Sequence, residues 1–313
     1  MRVLVVHNPK GSRGDAGLYD FIRELAHRDG EVALRPLSAV RTLDRALHDA
    51  EDFDRVVVAG GDGTVASAAH LLRGTGVPLL PFASGTGNLI SLNLREPSDP
   101  VALADVLLAG RLKKVDLGEI TYELPAKRVP VERRRLPRPR PKARFGFTGL
   151  AGVGADAALM ENAQKLKPVF GAGGYLMALL QNPTPAMAAI ELDLDGRRVA
   201  TEGSAVLLVN FARIQFDLSL AHDSDATDGH LEVVVVKARN VTDLLPAVMA
   251  AWLDTVVTFP DRTRVFDTYR AKKVRISADP ALPLQSDGEI VGAVTPVSAR
   301  VLPLAGTFVV PKP

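Results

Sequence analysis

Two hydrophobic rhythms alternate along the first 110 residues. Val3 to Val6 is a short continuous apolar run and predicts a buried strand over Arg2–Val6. Asp15–Arg28 then places Leu18, Phe21, Ile22 and Leu25 at i, i+3, i+4 and i+7. That spacing predicts an amphipathic helix, which Gly30 can close. Glu31–Leu34 reads as a strand and Thr42–Ala50 as a helix. Arg55–Ala59 is a third strand, Thr64–Arg73 a helix ended by Gly74, and Val77–Phe82 a fourth strand. Asp99-Pro100 opens one more helix, with Asp as cap and Pro in the first turn. Strands that alternate with helices imply a parallel sheet covered on both faces, with ligands at the carboxyl ends of its strands.

After Lys113 the rhythm becomes that of strands. Val115–Glu123 and Ala143–Gly149 are two strands joined by a basic, Pro-rich segment. Ile190–Leu194 and Arg197–Ala200 flank Asp195-Gly196, a strong hairpin signal. Ala205–Phe211, Leu231–Lys237, Lys273–Ser277 and Val297–Leu302 complete a β-rich, mostly antiparallel second domain. Helices are expected near Ala155–Lys165, Gly174–Gln181 and Asp243–Asp254. The stripe Leu244, Leu245, Val248, Met249 and Trp252 reads as core. No internal repeat is present.

Composition narrows the chemistry. The 313 residues suit two domains, and 47% apolar with 24% charged residues is globular. With no cysteine there is no disulfide, thiol nucleophile or cysteine-bound zinc, as fits a reducing cytosol. The N-terminal apolar run is too short for a signal peptide, and none reaches the ~18 residues of a membrane span, so membrane contact would be peripheral. Net charge is +2, unevenly spread. Lys127–Arg144 holds nine Lys or Arg against one Glu, +8, and the rest of the chain carries −6. Two readings stand: a solvated loop, or attraction to an anionic surface. Nothing suggests nucleic-acid binding, and a homodimer is left open.

Val56 to His70 reads VVVAGGDGTVASAAH. Gly60, Gly61 and Gly63 let a ligand approach without meeting a Cβ, and the free amides of the following helix favour an anion. Asp62 suits a Mg²⁺, a reacting hydroxyl or a helix cap. His7-Asn8-Pro9-Lys10-Gly11-Ser12 follows the first strand, and Ser84-Gly85-Thr86-Gly87-Asn88 follows the fourth. Three small-residue loops on one edge of one sheet predict a nucleotide cleft.

Asn8-Pro9-Lys10-Gly11-Ser12, Gly60-Gly61-Asp62-Gly63-Thr64, Gly85-Thr86-Gly87-Asn88 and Asp287-Gly288-Glu289 occur in the order seen in the diacylglycerol kinase catalytic family, which the chain resembles over nearly its whole length. That family includes bacterial lipid kinases and the sphingosine and ceramide kinases. Gly152–Ala157 and Gly173-Gly174-Tyr175 look like its start of the second domain. The resemblance implies an α/β N-terminal domain, NAD kinase- or phosphofructokinase-like, over residues 1–117, and a β-rich lipid-substrate domain over 118–302. Residues of about 303–313, with Thr307–Val310 as a strand, return to the first domain. It implies ATP in the cleft between the domains, held by the loops named above. Ser38, after the second strand, lies where the family often places an ATP-contacting Thr or Ser. Mg²⁺ and a lipid hydroxyl complete the reaction, at a cytoplasmic membrane surface. Two positions depart from the pattern: Ser67 and Leu89 stand where many members carry acids that organise metal and headgroup. Diacylglycerol as the lipid is therefore unassigned.

Phosphoryl transfer needs positioning, charge neutralisation and a group to accept the hydroxyl proton. Asp287 and Glu289 are the candidates for that acceptor; the plain alternative is an Asp-Gly hairpin turn. Asp225 and Asp228, with the carbonyl of His230, can collect hard oxygen ligands for Mg²⁺, a spacing that resembles a structural Mg²⁺ site in bacterial diacylglycerol kinases; solvated acids in a turn are the alternative. Two rival functions remain: a soluble-substrate kinase of the NAD kinase type, and a nucleotide- or lipid-binding protein with little kinase activity.

Overall fold

The computed structural model describes residues 1–9, 16–28, 30–85, 87–124, 142–154, 187–211, 213–214, 218–219, 225–239, 265–286 and 289–312. The three helices expected in the second half, Lys10–Ser12, Thr86, Asp287 and most of the basic segment lie outside these residues.

The first half alternates β1 (Arg2–His7), α1 (Ala16–His27), β2 (Glu31–Pro36), α2 (Leu43–Ala46), β3 (Arg55–Gly60), α3 (Asp62–Leu71), β4 (Leu79–Ala83), α4 (Leu89–Leu94) and α5 (Pro100–Ala109). Strands β2-β1-β3-β4 are all parallel and lie in that order. Successive residues of β1 and β3 go to opposite faces. Leu4, Val6, Val56 and Val58 pack with α3 residues Val65 and Ala69 on one side. Val3, Val5, Val57 and Ala59 pack with Phe21 and Leu25 of α1 and Leu103 and Leu107 of α5 on the other. Both faces are apolar, so β1 and β3 read as continuous hydrophobic runs, whereas β2 at the sheet edge is only partly buried. Asp99 caps α5 by accepting from the Ala102 amide at 2.8 Å.

The second half supplies β5 (Arg111–Glu123), β6 (Lys142–Phe147), β7 (Leu150–Gly154), β8 (Ala188–Leu194), β9 (Arg197–Gly203), β10 (Ala205–Val209), β11 (Arg213–Ile214), β12 (Leu218–Ser219), β13 (Leu231–Val236), β14 (Phe266–Ala271), β15 (Lys273–Asp279), β16 (Pro283–Ser286), β17 (Glu289–Val294) and β18 (Val297–Val310). One antiparallel sheet runs β14-β13-β10-β7-β16-β17. β11 and β12 pair only with each other; the other strands extend the parallel sheet through β18, which pairs with β15 and β5 and, at Phe308, lies parallel beside Leu79 of β4. Ile190, Ile276 and Ala299 of that sheet face Val206, Val233 and Leu284 of the other, a two-layer sandwich. Asp195 (φ 54°) and Gly196 (φ 95°) form the expected hairpin turn.

The helix expected over Thr42–Ala50 stops after Ala46 and continues only as a 3₁₀ turn at Ala50–Asp52. Arg35 causes this. Its Nη1 donates to the Ala46 carbonyl at 2.8 Å, the acceptor that the Ala50 amide would need, and its other arm holds Asp49. Ala50 turns instead to Leu47 O at 3.1 Å.

Glu96 follows α4 with both carboxyl oxygens buried and without a hydrogen-bond partner among the described residues. Burial lifts its pKa to about 8, and the nearby Ser91 hydroxyl offsets only part of that rise. An acid raised in the fold is destabilising wherever it is ionised. The fold therefore gains stability as pH falls from about 8 towards the ordinary Glu value, on the order of a few kcal/mol. Melting temperature against pH checks this. The parent should rise between pH 9 and 5, and Glu96→Gln should lose most of that slope.

Candidate active site

In the order β2-β1-β3-β4 the chain leaves β1 in one direction and returns to β3 on its other side. The carboxyl ends of β1 and β3 therefore flank a switch point, where open α/β sheets bind ligands. Three glycine-bearing connections meet there. The Asn8 amide donates to Ala59 O at 2.8 Å, and Asn8 Nδ2 donates to Thr64 Oγ1 at 2.9 Å, which ties the first connection to the second. Pro9 is exposed beside it.

Gly61 and Gly85 bring the second and third connections into backbone contact. A Cβ on Gly85 would lie 2.7 Å from Gly61 Cα and 3.1 Å from Asn88 Oδ1. Among the described residues a Cβ on Gly61 would meet only Gly85 Cα, at an ordinary 3.9 Å. The loop after β4 is closed by Asn88 in the left-handed region, φ 51°. Its Oδ1 accepts from the Gly85 amide at 3.0 Å and its Nδ2 donates to Gly85 O at 3.1 Å. Ser84, buried just before this loop, has a hydroxyl with no partner among the described residues.

Asp62 is the first residue of α3, yet its carboxylate serves another helix. Oδ1 accepts from the Ile90 amide at 3.0 Å at the start of α4. Burial raises its pKa, and the amides of Ile90, Leu89 and Asn88 pull it back. The acid is thus a clasp between two glycine loops. It leaves α3 itself without a side-chain cap, with Gly63 and Thr64 in its first turn. That open N-terminus suits an anion. Gly87 is half-buried at the end of the third loop. Ser67 is exposed one turn along α3, and Ser38 is exposed past the end of β2, its Oγ accepting from the Arg41 amide at 3.1 Å. Asp62→Ala strands the Ile90 amide, at a cost of about 1–3 kcal/mol. The expected result is a lower melting temperature together with weaker ATP binding by calorimetry.

The acids of the second half are placed differently. Asp225 Oδ1 accepts from the amide (3.0 Å) and hydroxyl (2.7 Å) of Thr227. Asp228 accepts from the His230 amide at 2.8 Å and pairs with Arg270. These carboxylates are engaged by protein donors, and the described residues hold no cluster of three metal-ligating side chains. Sequence reading missed Asp116. It is fully buried in β5, and its carboxylate accepts from Gly229 and Leu304 amides, each at 2.7 Å, fastening the acidic turn to β5 and β18. The signal was a lone acid inside an apolar strand, Lys114-Val115-Asp116-Leu117. Glu289 begins β17 and pairs with Ser286 across the hairpin that residues 287–288 join.

The model of the diacylglycerol kinase catalytic domain matches residues 2–120, and that of the YegS C-terminal NAD kinase beta sandwich-like domain matches 149–310. A diacylglycerol kinase of Mycobacterium tuberculosis is 24% identical over all of this chain and 95% of its own length. One from Staphylococcus carnosus is 25% identical over 79% of this chain and 73% of its own. A crystal structure of a diacylglycerol kinase from Bacillus anthracis superposes with a TM-score of 0.73 at 19% identity, covering 99% of this chain and 96% of that one. At that identity the superposition speaks for the fold.

Proposed function

We infer, from the premise that this chain belongs to the diacylglycerol kinase catalytic family and is a kinase of that type, that it transfers the γ-phosphoryl group of ATP to a lipid hydroxyl. The observation that carries the reading is the contact of Gly61 with Gly85 at the switch point, clasped by Asp62. Two glycine backbones that close leave no side chain between the loops at their point of contact. The uncapped start of α3 fits phosphate oxygens there.

In this reading Gly61, Gly63, Thr64, Gly85, Thr86 and Gly87 line the phosphates, with Asn8 to Ser12 and Ser38 along the same edge. Asn88 and Asp62 fix the cradle, and Ser67 lies within one helical turn of it. Mg²⁺ entering with the nucleotide would neutralise phosphate charge. Asp287 or Glu289 accepts the proton of the attacking hydroxyl. The nucleotide domain spans residues 1–117 with the returning end of β18, and residues 118–302 receive the lipid. No helix among the described residues is long and apolar enough to cross a membrane. We place the enzyme at the cytoplasmic membrane surface, reached peripherally.

Incubation with labelled ATP, Mg²⁺ and a panel of diacylglycerol, sphingoid bases, NAD and sugars tests this. Label in a lipid product supports the reading. Label in NAD or a sugar alone overturns it. ATP binding with no product favours a binding protein, a result that Ser67 and Leu89 would explain.

A further inference from the structure

The sandwich covers only one face of the sheet that contains β5, β18, β15 and β8. On the uncovered face lies a groove of about 850 Å³. It is remote from the glycine loops. α3 starts at Gly61, and only its far end reaches this region: His70 Nε2 lies 3.3 Å from Phe147 O, and Arg73 lies 3.9 Å from Glu119 on the groove wall. Ten helical residues at 1.5 Å each place that end roughly 15 Å from the loops.

The charges around the groove are unequal in what they have left to offer. Its acids are engaged. Glu119 is held by Arg300 at 2.7 and 2.8 Å. Asp195 accepts from the amides of Lys272 (2.9 Å) and Lys273 (2.8 Å), and Asp193 accepts from the Gly196 amide at 2.7 Å. The side chains of Lys272, Lys273 and Arg275 are exposed and form no ion pair among the described residues, although Asp193 is the cross-strand neighbour of Arg275. Register also aligns donors. Arg144 lies opposite Thr121, Thr121 opposite Ser298, and Ser298 opposite Arg275. Two hydroxyls between two guanidinium groups, beside a pair of free lysines, match phosphate oxygens.

The groove wall lies on strands that adjoin the chain's strongest charge in sequence. β5 and β6 lead into and out of the +8 segment in sequence, and Arg144, its last cation, is the cross-strand neighbour of Thr121 on the groove wall. We propose that this sheet face docks the phosphate headgroups of an anionic lipid surface. The proposal rests on the peripheral-membrane reading for its partner and adds a folded site to it. The sheet fixes the backbone that carries these cations, so binding has to order only their side chains.

The test uses the full chain and the double variant Lys273→Glu/Arg275→Glu, which leaves the basic segment and every glycine loop intact. Both are sedimented with phosphatidylcholine vesicles, with and without phosphatidylglycerol. The parent should bind only the anionic vesicles, and less as salt rises. The double variant should lose at least about tenfold in that binding, at an unchanged melting temperature. Should it fail to fold, Lys273→Gln/Arg275→Gln makes the same comparison. Unchanged binding by a folded variant overturns the proposal, as does equal binding of the parent to neutral vesicles. Calorimetric binding of inorganic pyrophosphate that the variant loses, with vesicle binding retained, would assign the groove to a soluble anion and also overturn it. Phosphorylation of diacylglycerol in neutral detergent micelles separates the two readings. The variant should match the parent there, and absence of product from the parent would count against the kinase assignment alone.

Discussion

Asp287→Asn is expected to lower turnover on the lipid acceptor by about 10²–10⁴-fold, with ATP affinity and melting temperature close to those of the parent. A lipid hydroxyl is a poor nucleophile while it keeps its proton. A carboxylate that takes the proton as the phosphorus–oxygen bond forms lowers the barrier, and an amide of the same shape cannot. The strands on either side of Asp287-Gly288, β16 and β17, pair with each other, and β16 also pairs with β7. Glu289 is the competing acceptor. The decisive measurement is turnover of Asp287→Asn and Glu289→Gln side by side, with ATP affinity and melting temperature for each. A dead Glu289→Gln beside a fully active Asp287→Asn would give Glu289 the role. Two active variants would reduce the segment to a turn.

The second large effect is expected at Gly85. Valine there would drive its Cβ to 2.7 Å from the Gly61 backbone, and a backbone atom cannot rotate away as a flexible side chain does. The two loops must separate, and the Asn88 bonds to Gly85 stretch with them. We expect a loss of stability of about 1–3 kcal/mol, as for overpacked cores, and ATP affinity reduced below detection by calorimetry. Gly61→Ala is the matched control. Its Cβ meets Gly85 Cα at an ordinary 3.9 Å, so the fold should survive and only nucleotide binding should weaken. If Gly85→Val keeps both its melting temperature and its ATP affinity, the contact between these loops is not what shapes the cradle.

What the sequence disclosed follows from the range of each signal. The parallel strands and α1 were legible because continuous apolar runs and the i, i+3, i+4 stripe are local, and α5 because its Asp99-Pro100 start is a local capping signal. The hairpin at Asp195-Gly196 was legible because its two positive φ angles demand those residue types. Long-range partners were not legible. Asp62 read as a metal ligand, an acid near a hydroxyl or a cap of its own helix. It grips Ile90, 28 residues on, at a helix of six residues too short to show a period. Asp116 looked like one polar residue in a strand, because Gly229 and Leu304 are distant in sequence. β5 starts at Arg111, earlier than its own apolar pattern suggests, since Leu112 and Lys113 are drawn into pairing by Val309 and Phe308.

That last pairing bears on how the protein is made. Asp116 meets Leu304 across 188 residues, and the strand beyond Leu304 covers the edge of β4. During synthesis, β1 to β4 are complete long before the residues that flank them leave the ribosome. Until then β4 presents an unpaired edge, which invites pairing with another chain. Closure over so long a loop is also slow relative to local helix formation. The nascent nucleotide half therefore has a window of exposure whose length is set by translation speed, and fast overexpression should send more of the product into aggregates than slow expression at the same yield.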